Sequence, residues 1–231
     1  MLPAAERRRT GIPVKVALTI AHEACVHAGR DPASLATVFS SSSGDGETVH
    51  HIFETLALPE REVSPTRFHN SVHNAAAGYW SIATQSREPT TSLCCYDASF
   101  AAGLLDSGTQ VAVDRKPVAL IAYDHPYPEP LHSKRPLCGI FGVAFVLAPE
   151  QTHRTIARLD VSLSAKPGDA TRMANAELEA LRSGIPAARS LPLLAALARH
   201  EPAVILLDCP AANHLRTVMT PMRNQRDARK P

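Results

Sequence analysis

No apolar run in this 231-residue chain reaches the roughly 20 residues that a membrane-spanning helix needs. The N-terminus carries charge but no apolar h-region, so neither membrane insertion nor secretion is indicated. No sign of charge dominates. A formal net charge of +2 leaves no electrostatic footprint for nucleic acid. The five cysteines lack paired spacing, which argues against a disulfide framework and for reduced thiols in a cytoplasmic protein. There are no internal repeats. What is present is an ordinary globular balance, 45% hydrophobic and 20% charged. That length and composition suit a single domain over residues 1–231, with residues 1–13 and 222–231 expected as flexible ends.

Periodicity separates helices from strands. Val14, Ala17, Leu18, Ala21 and Cys25 fall three or four apart and predict a helix over 14–28, stopped by Gly29 and Asp31-Pro32. Residues 35–40 read as a buried strand that ends in a Ser/Gly-rich turn. A helix over 47–58 follows, with Val49, Ile52, Phe53 and Leu56 as its apolar face. Further helices are expected over 69–83, 98–105, 171–183 and 191–200, and strands over 91–95, 118–123 and 203–207. Residues 140–147 and 156–163 alternate like paired strands. Four prolines within 124–136 mark a surface loop, and 166–169 a turn. Strand, glycine turn and helix in that order point to an α/β layered protein whose apolar strands are covered on both faces.

Two stretches carry chemistry. Residues 64–83, SPTRFHNSVHNAAAGYWSIA, open with Ser-Pro and are rich in Asn, His and small residues. Residues 92–103, SLCCYDASFAAG, run a short strand into a small-residue helix. Cys95 stands at that junction. A helix N-terminus stabilises a thiolate and lowers its pKa, although Asp97 beside it works the other way. Adjacent Cys94 and Cys95 also fit plain core packing. His69 and His73 share one face of an unbroken helix, a spacing that can hold zinc, but no third ligand follows at a sensible distance. Asn70 and Asn74 suit a hydrogen-bonded helix instead. Neither metal nor cofactor is implied.

These two stretches resemble the segments of β-ketoacyl synthases that lead up to and carry the nucleophilic cysteine, and the order of elements over about 35–165 is similar as well. Phe68 to Asn74, followed by Gly78, Tyr79 and Trp80, resembles the β-ketoacyl synthase-like chain length factors of aryl polyene and xanthomonadin-type pathways. The resemblance implies a thiolase-like three-layer α/β/α fold, the N-terminal half of a ketosynthase, built on a mixed five-stranded sheet. It places Cys95 at the nucleophile position. Claisen condensation needs that thiolate, and also donors for the charge that develops on decarboxylation. Ketosynthases take two histidines for the second task from their C-terminal half, and His200 and His214 sit in no such motif. The glutamate of the family's Gly-Glu-Gly strand is missing too.

Two functions therefore stay open. One is a non-catalytic chain length factor that pairs with an active ketosynthase, meets an acyl carrier protein through that complex, and bounds the acyl tunnel. Phe68, His69, Asn70, His73, Asn74, Tyr79, Trp80, Thr91, Ser92, Leu93 and Cys94 would then lie at the tunnel or the subunit interface. The other is a minimal acyltransferase or thioesterase that uses Cys95 with His69 or His73. A homodimer without a pathway role is a third, blander reading.

Overall fold

A computed structural model describes residues 2–165, 168–209 and 214–222. Its first sheet has β1 (Ala36–Ser40) and β3 (Val118–Asp124) at the centre, both buried along their whole length. They lie parallel to each other. β2 (Thr90–Leu93) adds parallel to β1 at one edge, and β4 (Phe141–Leu147) pairs antiparallel with β3 at the other. The strand order is β2-β1-β3-β4, a mixed sheet of four strands among the described residues where five were expected. A second sheet, ordered β5-β7-β6, consists of β5 (Ala157–Ser164), β7 (His214–Pro221) and β6 (Ala203–Asp208), all antiparallel.

Alternation along the central strands sends side chains to two cores. Phe39, Ala119, Ile121 and Tyr123 face α2 (Ile12–Ala28) and α5 (Ala75–Thr84), where Val14, Leu18, Tyr79 and Trp80 complete one cluster. Val38, Leu120 and Ala122 face the other way. They meet Phe100 and Leu104 of α6 (Ser99–Asp114) and Leu193 and Ala196 of α9 (Leu191–Arg199). The far side of that helical layer packs on Ile205, Leu207, Leu215 and Met219 of the second sheet. The three expected layers are present, and the second sheet adds a fourth behind them.

Gly29 closes α2 in the left-handed region at φ 62°, its N–H donating to the carbonyls of Cys25 and Val26. Gly103 lets α6 approach the sheet closely: a Cβ there would stand 2.8 Å from Leu120 and 3.0 Å from Ser40.

Several boundaries differ from the sequence reading. Within the stretch expected as a flexible N-terminal end, Ala4–Arg9 forms a short helix, α1, and Thr10 and Pro13 are buried. Met222 bonds back to the carbonyl of Ile156 at 2.9 Å, and the rest of the expected C-terminal tail lies outside the described residues. The single helix expected over 69–83 is two, α4 (Pro65–Asn70) and α5. The break follows from Asn70, whose Nδ2 donates to the carbonyl of Arg9 (2.7 Å) while its Oδ1 accepts from the Tyr79 hydroxyl (2.9 Å). β5 pairs with β7 in the second sheet rather than with β4, which pairs with β3 at the edge of the first. Residues 171–175 are extended, Thr171 bonding to the backbone of Leu206, and the helix α8 (Ala176–Gly184) starts only where Asn175 caps it. Half of the turn expected at 166–169, Lys166 and Pro167, lies outside the described residues. α3 (Gly46–Ala57) and a short α7 (Leu131–Lys134) in the proline-rich loop complete the described helices.

Candidate functional site at the strand-to-helix elbow

The carboxyl ends of β1, β2 and β3 converge on one polar hub. At the end of β3, Asp124 is 1% exposed. It accepts from the Ser42 N–H (2.8 Å), the Ser42 hydroxyl (2.7 Å), the Ser41 hydroxyl (3.4 Å) and the Ala187 N–H (2.7 Å). Burial raises its pKa, and those donors pull it back without cancelling the shift. Asp124 thus ties the serine turn after β1 to residues 186–190, which lead into α9. The same turn holds two expected site residues. The Cys94 thiol donates to the carbonyl of Ser42 (3.2 Å), and His73 Nε2 lies 3.2 Å from the carbonyl of Ser41.

Beyond Leu93 the chain turns sharply through Cys94 and Cys95 into a 3₁₀ turn over Tyr96–Ala98 and then α6. Tyr96 stands in the left-handed region at φ 52°, a conformation that a residue with a Cβ adopts only under constraint. Ser99 supplies part of the constraint: its hydroxyl accepts from the Cys95 N–H (3.1 Å) and donates to the Tyr96 carbonyl (2.7 Å). Charge supplies the rest. Arg135 stacks over the Tyr96 ring, 3.2 Å from its centroid, and pairs with Asp97 at 3.0 Å. Arg189 reaches the other Asp97 oxygen at 3.2 Å and Asp208 at 2.7 Å. His214 joins the same group, its Nε2 3.9 Å from Asp208. The cleft between Asp97, Arg189 and Asp208 leaves no space for a water molecule.

Cys95, at the position that the resemblance gives to the nucleophile, is partly buried at this elbow. Burial, and Cys94 beside it, push the Cys95 pKa up. Burial also raises Cys94, against the pull of Arg135. Cys95 caps the 3₁₀ turn that leads into α6, with no hydrogen bond from its side chain to the turn, and its amide donates to Ser99. Asp97, expected to repel a thiolate, is engaged by two guanidiniums instead. All five cysteines are free thiols.

The structure brings only part of the expected interface set together. Thr91, Ser92 and Leu93 lie on β2, an edge strand, with Cys94 just past its end. Phe68 on α4 is 68% exposed, and His69 sets its ring edge-on to Tyr79 at 6.3 Å. His69 and His73 do not share a helix, since α4 ends at Asn70, and Asn74 follows in the turn before α5. Asn70, Tyr79 and Trp80 are buried inside the chain and support its own core. Asp124, Arg189 and Asp208 escaped the sequence reading, Arg135 carries no site role in it, and His214 enters it only as a histidine outside the family's motifs. The alignment of Asp124 with the end of a wholly apolar strand was the one available signal.

Parallel strands that deliver a thiol to a strand-to-helix elbow beside a second sheet define a protein of the thiolase-like fold. The chain belongs to the β-ketoacyl synthase N-terminal domain family, whose model matches residues 1–206. No curated protein matches it in sequence. Among solved structures, a ketosynthase (ApeO) in complex with its chain length factor (ApeC) from Xenorhabdus doucetiae is similar at a TM-score of 0.68 and 19% identity, covering 94% of this chain and 82% of that one. The ishigamide ketosynthase/chain length factor gives 0.65 at 12% identity, covering 93% and 82%. The 3-oxoacyl-(acyl carrier protein) synthase III FabH from Pseudomonas aeruginosa PAO1 gives 0.52 at 16% identity, covering 90% and 83%. The shared fold thus takes in the second sheet as well as the first. No helix among the described residues is long and apolar enough to cross a membrane.

Proposed function

We propose that this chain is a chain length factor. It is a non-catalytic subunit that pairs with an active β-ketoacyl-acyl carrier protein synthase and shapes the end of that enzyme's acyl tunnel in type II polyketide or polyene biosynthesis. The observation that carries this reading is the state of Cys95. Its thiol is partly buried at an elbow whose Asp97 is clamped by Arg135 and Arg189, and burial pushes its pKa up, away from the thiolate that acyl transfer needs. The free edge of β2 supports pairing, because an open edge offers unpaired backbone groups to a second chain. The solved relatives that are ketosynthase and chain length factor pairs support the choice of partner. Acyl carrier protein would reach the chain only through that complex. Exposed Phe68, with Thr91, Ser92, Leu93 and Cys94, is the surface from which the tunnel's end would be shaped.

One observation favours the enzyme reading instead: His214 lies 3.9 Å from Asp208, which Arg189 joins to Asp97 of the Cys95 elbow. One variant separates the two. In a reconstituted complex with its ketosynthase, Cys95→Ala should leave chain extension within about twofold of wild type, since a non-acylated thiol contributes no covalent step. Mass spectrometry should find no adduct on Cys95 after incubation with an acyl-thioester mimic. Loss of product with complex formation intact would establish the acyltransferase or thioesterase.

A further inference from the structure

We draw no further inference here: the strongest candidate, the surface patch of exposed apolar side chains on the neighbouring helices α3 and α4 (Phe53, Leu56 and Phe68), carries nothing because nothing in the structure shows what covers it.

Discussion

Replacing Trp80 by alanine removes the largest side chain of the core beneath the first sheet. The ring is 1% exposed and packs among α2, α5 and the inward face of β1 and β3. A Trp or Phe truncated to Ala in such a core costs about 3–5 kcal/mol. For a chain of this size that lowers Tm by roughly 10 °C, measurable by circular dichroism. Change in product length with unchanged stability would return Trp80 to the tunnel wall, where its resemblance to the family had placed it. The same residue shows what is legible from sequence at this scale. An aromatic among small residues marks a close-packed helix, yet the motif does not say which side of the helix is inside. Cys95 could be located because a strand runs directly into a helix there. Arg135 and Asp124 could not. Arg135 lies in a proline-rich stretch that reads as surface, and its partner Asp97 is 38 residues away in sequence. Asp124 meets its serines across 82 residues.

At the scale of elements, β2 is the strand whose behaviour most directly tests the pairing reading. In its parallel ladder with β1, Thr37 N–H donates to Pro89 and Ser41 N–H to Leu93, so positions 89, 91 and 93 face β1. Alternation then turns the Thr90 and Ser92 amides outward, where nothing among the described residues pairs with them. Ser92→Pro removes one outward N–H and leaves the inner ladder intact. Complex formation should fall by an order of magnitude or more in size-exclusion chromatography, with the isolated chain's circular dichroism retained. Equal elution of variant and wild-type complexes would remove β2 from the interface. The strands that proved easy to read, β1 and β3, are apolar throughout because both of their faces are covered. β5 was read correctly as a strand, but its partner was not, since alternation gives a strand's faces and says nothing about its neighbours. The expected partner, β4, lies beside β3 in the other sheet. β7 went unread: Thr217 and Arg216 interrupt its apolar positions, and only alternate residues, Leu215 and Met219 among them, face the core.

The whole molecule is held by two cores that share a sheet. One lies between the first sheet and α2 and α5, and the other runs from the opposite face of that sheet through α6 and α9 to the second sheet. Asp124 and the Asp97–Arg189–Asp208 chain add polar ties between the same halves. Because β1 and β3 contribute side chains to both cores, neither sheet can lose its packing without exposing the other, and the chain should unfold in one step. Trp80, the only tryptophan, reports the first core alone. Leu215 lies in the second core on β7 and is fully buried. Leu215→Ala should cost about 2–5 kcal/mol by transfer and cavity formation. Its effect should nonetheless appear in the fluorescence of Trp80, lowering that transition by roughly 5–15 °C in step with far-ultraviolet circular dichroism. If the Trp80 transition stayed in place while the dichroism signal split in two, the second sheet would be a separate unit, and the elbow would owe its geometry to the first sheet alone. A single shifted transition means that the β2 edge and the elbow after it are held by packing across the whole chain, the second sheet included.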